Sequence, residues 1–214
     1  MRVTNTTVRN PGRATAPALS PNQAARKQRI VDAATAMLEE RDVERISVKD
    51  VADGASVALG TVYHYFTSKE HLFDEVLLQW AGSLHAGMAR RSSTGPDQRA
   101  RLEDVLHRSV RAFERRPQMA RLVAKLEVSE DPFAGDVLKR LIAVTHEAYV
   151  HALSDLEPRL ADRIARVVTA VFDGALRSWS AGRLPIADVH QSLSDAVALL
   201  LPARAACSRG VRHR

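Results

Sequence analysis

Apolar positions recur with a helical period along almost the whole chain. From Ala24 onward, Ile30, Ala33, Ala34, Met37 and Leu38 fall at i, i+3, i+4, i+7 and i+8, one stripe over more than two turns. Asp42 then stands where a helix would end, as a residue that tolerates the left-handed conformation. Ser47 opens a second helix: its hydroxyl can accept from the Asp50 amide while the Asp50 carboxylate reaches back, a capping box with a shorter arm than glutamate provides. Val48, Val51, Ala52 and Ala55 form its buried face. A tight turn at Ala55, Ser56 and Val57 leads into a third, short helix over residues 58–65. Thr67-Ser68-Lys69-Glu70 reads as another capping box and starts a long fourth helix with Leu72, Phe73, Val76, Leu77 and Trp80 inside.

Ser92 to Pro96 reads as a loop and marks the domain boundary. Beyond it the pattern predicts helices over residues 98–115, 117–128, 133–153, 157–181 and 186–201. Pro117, Pro132, Pro158 and Pro185 stand at their starts, where a missing amide costs little. No strand period or internal repeat interrupts them. The expected fold is all-α with about nine helices. An N-terminal three-helix unit, residues 23–90 with its helix-turn-helix at 47–66, is joined through the long fourth helix to a helical body at 91–202. Residues 1–22 lack periodicity, and Pro11, Pro17 and Pro21 argue for a flexible basic arm. Residues 203–214 form a basic tail.

At 214 residues the chain can bury two cores. No run of 18 apolar residues occurs, and the basic N-terminus lacks the apolar stretch of a signal peptide, so a cytoplasmic protein without membrane contact is expected. The single cysteine, Cys207, leaves no disulfide framework or cysteine-rich zinc site, and no cofactor or metal is expected. The net charge of +6 suggests a nucleic-acid partner until its distribution is followed. Residues 1–29 carry six basic residues and no acid, and residues 203–214 carry four and no acid, leaving −4 for residues 30–202. The body is mildly acidic, so charge does not identify a DNA reader.

The motif does. Val51-Ala52, Val57, Gly60-Thr61-Val62-Tyr63, Tyr65-Phe66, Ser68-Lys69-Glu70 and Leu72 are similar to the DNA-binding signature of TetR-type transcriptional regulators, over roughly Ala24 to Leu84. The physical logic stands beside the resemblance: a capped support helix, a short turn, and a second helix too short to be stable unless docked. Gly60 weakens a helix by about 1 kcal/mol relative to alanine, so either a DNA strand or a packed neighbour must approach its backbone. Thr61, Tyr63 and His64 would face outward, offering hydroxyl and imidazole groups to phosphates or base edges. A cation in the first turn of a helix opposes the macrodipole, and a phosphate beside Lys69 or Lys49 would reverse that sign; a solvated surface charge is the alternative. The resemblance implies that Tyr63, Tyr65 and Lys69 touch the DNA backbone while Phe66 packs inside. Ser47, Lys49, Gly60, Thr61, Tyr63, His64, Tyr65 and Lys69 are thus the expected DNA-binding set. Arg9, Arg13, Arg26, Lys27 and Arg29 could follow phosphates or enter a minor groove. Two departures from the family pattern, Ser56 for the usual turn glycine and Ala58 for a Ser or Thr cap, put the start of the recognition helix in doubt.

The resemblance also implies a homodimer, because two short recognition helices must meet successive major grooves of a palindromic operator about 34 to 36 Å apart. The last two helices are apolar over more than one stripe, and Ile164, Val168, Val171, Val189, Leu193 and Val197 are the candidate interface. A ligand cavity in the body would be lined by Trp80, Phe113, Met119, Leu122, Leu126, Phe133, Tyr149, Phe172 and Trp179. Phe113-Glu114-Arg115-Arg116-Pro117, Ala165-Arg166-Val167-Val168, Trp179 and Ala187-Asp188-Val189 resemble the sterol-catabolism repressors of the family. That likeness implies a small apolar inducer such as a steroid or acyl-CoA thioester. A constitutive or architectural DNA-binding regulator without an inducer is the alternative. An enzyme is not expected: His146, Glu147 and His151 have HExxxH spacing, which puts the histidines about 140° apart around a helix, and no phosphate loop or nucleophile elbow occurs.

Overall fold

The computed structural model describes residues 19–90, 95–129 and 132–202, without the side chains of 88–90 and 132–133. The described residues form nine α-helices and one short 3-10 turn, with no strand among them. The arm at 1–18, the tail with Cys207, and most of the predicted loop at 92–96 lie outside the described residues.

Helix α1, Pro21–Glu40, begins earlier than its periodicity suggests. Ser20 caps it: the Gln23 amide donates to the Ser20 hydroxyl at 3.4 Å, and the Ser20 amide donates to the Gln23 side chain at 2.8 Å. Pro21, read as an obstacle to helix, is its first residue, where the absent N–H would have lacked a partner anyway. The helix ends at Glu40. Asp42 is extended (φ −65°), not left-handed, and starts the 3-10 turn Val43–Arg45.

Helix α2, Val48–Gly54, carries the expected capping box, with Asp50 N–H to Ser47 Oγ at 3.1 Å and Ser47 N–H to Asp50 Oδ2 at 2.8 Å. The Ser47 amide, and after it the Ser47 hydroxyl, which donates to Asp50 Oδ2 at 2.7 Å, hold the Asp50 carboxyl below the usual carboxylate range. Helix α3, Leu59–Tyr65, follows. Helix α4, Lys69–Arg90, is capped one residue later than the sequence suggests. The His71 amide donates to Ser68 Oγ at 3.0 Å, and the Thr67 amide donates back to His71 Nδ1 at 3.2 Å. Ser68, not Thr67, is the capping residue, so the position three residues on that answers it is His71 and not Glu70.

The body contains α5, Gln98–Arg115; α6, Pro117–Glu127; α7, Pro132–Ala152; α8, Pro158–Ser180; and α9, Ile186–Leu200. Asp97 and Glu157 cap α5 and α8 through the Ala100 and Leu160 amides. Helix α8 stops in a Schellman turn: Gly182 is left-handed at φ 70°, and the Gly182 and Arg183 amides donate to the Trp179 and Ser178 carbonyls. One apolar core runs from Ile30, Val51, Val62 and Phe66 through Phe73 and Leu77 to Leu106, Val168 and Leu193. Helix α4 packs on α1 in the N-terminal unit and on α7 in the body, so it belongs to both. A second, polar link joins the units at α6. Arg116 pairs with Glu39 at 2.8 Å, Gln118 and Arg121 bond Asp42, and Lys125 pairs with Glu44 at 2.5 Å. The Gln118 hydrogen bond, ahead of the Arg121 charge, lowers the Asp42 pKa.

Candidate nucleic-acid interface and ligand cavity

Helix α3 is seven residues long and has no side-chain cap, since Ala58 offers none. Its stability comes from docking: Val62 and Phe66 are fully buried. The turn before it forces Ser56 to φ 53°, the left-handed region that a glycine would occupy without strain. With Val62 and Phe66 inside, Tyr63 stands 51% exposed and His64 is exposed. Thr61 and Tyr65 are half-buried, and the Tyr65 ring meets His64 edge to face at 5.1 Å. A Cβ added at Gly60 would meet nothing within 4 Å, so no intramolecular packing requires this glycine. Its exposed backbone is open to close approach from outside the protein.

The lysines differ from one another. Lys69 is the first residue of α4, and its ammonium donates to the Glu44 carbonyl at 3.4 Å while lying 6.0 Å from the Phe73 ring centre. It is thereby held beside the segment that leads into α2. Lys49 is exposed in the first turn of α2, next to the Ser47 cap. Lys27 pairs with Glu75 at 3.2 Å and lies over the Phe66 ring, so it ties α1 to α4 instead of following a phosphate. Arg26 and Arg29 are exposed on α1; Arg9 and Arg13 lie outside the described residues.

A cavity opens among α4, α5, α6, α7 and α8. Its free volume is about 40 Å³, room for little more than water and far below the 300 Å³ at which ordinary ligand pockets begin. Trp80, Phe113 and Phe172 line it, as expected, with Trp80 edge-on to Phe113 at 4.8 Å. Met119, Leu122, Leu126 and Tyr149 are buried elsewhere in the core, and Trp179 packs on the core without reaching the wall. The Phe133 side chain lies outside the described residues. Helical periodicity marks all of these as inward-facing but does not separate close-packed core from cavity wall.

Sequence reasoning missed the polar half of the wall: His85, Ser109, Glu127, Thr145, Thr169 and Asp173. Each is an ordinary helix residue by itself, and only the packing of five helices brings them together. Burial, with the Glu127 charge adding to it and Arg177 opposing, pushes the Asp173 carboxyl up to about 6. Burial lowers the His85 pKa, and it raises the pKa of the Tyr149 hydroxyl, which is closed in behind the wall without a hydrogen bond of good geometry.

The expected interface residues Ile164, Val168, Val189, Leu193 and Val197 are buried within the single chain, and Val171 is half-buried. The α8 and α9 stripes spend their innermost positions on their own core. What they leave outward are Leu160, Val167, Ala170 and Gly174 on α8 and Leu199 on α9, the last 83% exposed. His146 bonds Asp162 at 3.0 Å across α7 and α8 while His151 is exposed, so they do not converge on one ion. No cluster of three potential metal ligands occurs among the described residues, nor any helix long and apolar enough to cross a membrane.

Compared with known proteins, residues 30–76 match the family described as bacterial regulatory proteins, tetR family, and residues 95–200 match the tetracyclin repressor-like C-terminal domain. The HTH-type transcriptional repressor KstR of Mycobacterium tuberculosis (strain ATCC 25618 / H37Rv) is 30% identical over 183 residues, 85% of this chain and 83% of that protein. A TetR transcriptional regulator from Rhodococcus sp. RHA1 has a similar structure, with a TM-score of 0.69 and 26% identity over 86% of this chain and all of that one. The Bacillus subtilis regulator FadR, solved in complex with stearoyl-CoA, shares the fold at a TM-score of 0.62 and 18% identity, over 82% of this chain and 97% of that one.

Proposed function

We propose, from the premise that this chain belongs to the TetR family of bacterial regulatory proteins, that it is a homodimeric cytoplasmic repressor released from a palindromic operator by a small apolar ligand. Family membership makes it a DNA-binding transcriptional regulator. The observation that carries the reading is α3: a helix too short to stand alone, anchored by Val62 and Phe66, that turns Gly60, Tyr63 and His64 outward. Ser47, Lys49, Thr61, Tyr65 and Lys69 complete the proposed DNA contacts. A helix of this size enters a major groove with its side chains on base edges while flanking cations and amides hold the phosphates.

Two chains are needed to read two half-sites. The outward residues Leu160, Val167, Ala170 and Gly174 support α8 as the dimer contact, since the small pair lets a partner helix approach closely. The ligand assignment, a steroid or acyl-CoA thioester, is supported by the KstR likeness and by the apolar half of the cavity. In the present form that cavity is too small for either, so binding must favour a state in which α4, α6 and α8 stand further apart. Helix α4 continues into the DNA-binding unit, and α6 is tied to it through Asp42 and Glu44. Opening the cavity therefore reorients the recognition helices. A hundredfold loss of operator affinity needs only about 2.7 kcal/mol of preference for the opened state.

A thermal-shift screen with apolar metabolites, followed by release of bound genomic fragments, tests this. The expected result is a compound that raises the melting temperature and frees the DNA. If no compound stabilises the protein and the DNA stays bound, the constitutive regulator is the correct reading.

A further inference from the structure

The polar groups of the cavity wall share one property. Ser109, Thr145 and Thr169 each donate their hydroxyl proton to a carbonyl four residues earlier in their own helix, at 3.0, 2.9 and 2.8 Å. With those protons committed, each oxygen can only accept from the cavity side. His85 follows the same rule. Its Nδ1 lies 2.6 Å from the Ala81 carbonyl, which has nothing to donate, so Nδ1 carries the proton; burial keeps the ring neutral, and Nε2 is left as an acceptor.

The two carboxyl groups complete the set. Glu127 accepts from Arg177 at 2.6 Å, and Asp173 receives no hydrogen bond among the described residues. Among the described residues, six acceptors from five helices thus face one small, otherwise apolar space, and the Trp80 indole is the only side-chain donor on its wall. Among the described residues no lysine or arginine lines it. Behind it, the buried Tyr149 hydroxyl lies within reach of the Asp173 charge and of Ser109.

We infer that this cavity selects apolar molecules bearing a hydrogen-bond donor, a hydroxyl or an amine, and rejects the matching carboxylate, with Asp173 setting the choice. The inference rests on the cavity being the ligand site. A donor satisfies acceptors such as His85 Nε2 and the Asp173 carboxylate in an apolar space; a carboxylate adds a further acceptor and a like charge beside Asp173 and Glu127. Any carboxylate or phosphate of a larger ligand must lie outside this space.

The test uses the full chain carrying Trp179→Phe, so that Trp80 on the cavity wall is the only tryptophan and reports occupancy by fluorescence. Titration at pH 8 with 1-dodecanol, dodecylamine and dodecanoate, each kept monomeric, should show the alcohol and amine binding about tenfold or more tighter than the acid. Asp173→Asn, which replaces the charge with an amide able to donate, should shrink that gap to about threefold or less, with its melting curve confirming that it is folded. Preferred binding of dodecanoate, equal binding of all three, or an unchanged gap in folded Asp173→Asn overturns the inference and leaves the cavity as the ligand site. No response to any probe overturns both.

Discussion

Ser56 and Tyr63 are the residues where this chain departs most visibly from what a stable fold alone would select. Ser56 sits at φ 53°, at a cost of about 1 kcal/mol for a residue with a Cβ. Ser56→Gly should raise the melting temperature by up to about 4 °C, since for a chain of this size 1 kcal/mol corresponds to that range; a lower melting temperature would mean that the serine side chain stabilises the turn. Tyr63 keeps a large ring half out in solvent on a helix that needs every apolar contact. Lys69 opposes the dipole at the start of α4, with the Glu44 carbonyl and the Phe73 ring near its ammonium. The proposed use of both residues is contact with a partner that carries phosphates. Tyr63→Ala and Lys69→Ala should each weaken DNA binding about tenfold or more with unchanged melting curves, and Lys69→Ala should also reduce the salt dependence by about one ion, measured by anisotropy across a salt series.

Whole elements were legible where their boundaries are written in local chemistry. Ser47 and Asp50 mark α2, and Pro117, Pro132 and Pro158 open their helices, because caps and proline act within one turn. Where two residues compete for a cap the sequence misleads: Thr67 and Ser68 both offer a hydroxyl, and His71 decides between them. The wall of the cavity was hardly legible. Trp80, Phe113 and Phe172 stand out as large apolar residues, but nothing local to α8 says that Asp173 will share a cavity wall with Glu127 of α6 and His85 of α4. That meeting has a consequence for stability. Burial raises the Asp173 carboxyl to about 6 in the folded protein, while in the unfolded chain it titrates in the ordinary carboxylate range. The folded state therefore holds this proton more tightly, and the group's contribution falls as pH rises from the ordinary range through about 6, then stays level. Asp173→Asn should flatten that part of the melting-temperature profile and be the more stable protein at pH 7.5 but not at pH 4. A profile unchanged by the substitution would mean that Asp173 is not desolvated.

At the scale of the molecule, one apolar core and one long helix serve two tasks. Helix α4 is a wall of the cavity through Trp80, Leu84 and His85, and a support of the helix-turn-helix through Leu72, Phe73 and Val76. Helix α6 repeats the connection in polar form, with Val123 and Glu127 at the cavity and Gln118, Arg121 and Lys125 on the DNA-binding unit. Exposed ion pairs add little to stability, so their use lies in fixing orientation. The acidic body is consistent with the proposal that DNA recognition is confined to a small face where phosphates meet a few placed groups. That confinement makes the account testable in one measurement: sequencing the genomic DNA retained by the purified full chain beside that retained by the Tyr63→Ala, Lys69→Ala double variant. The wild-type chain should enrich a small set of promoters sharing one palindrome with half-sites about one helical turn apart, and the double variant should lose them. Retention of the same fragments by both proteins, or no shared palindrome with the wild type, would contradict the assignment of this face as the DNA reader.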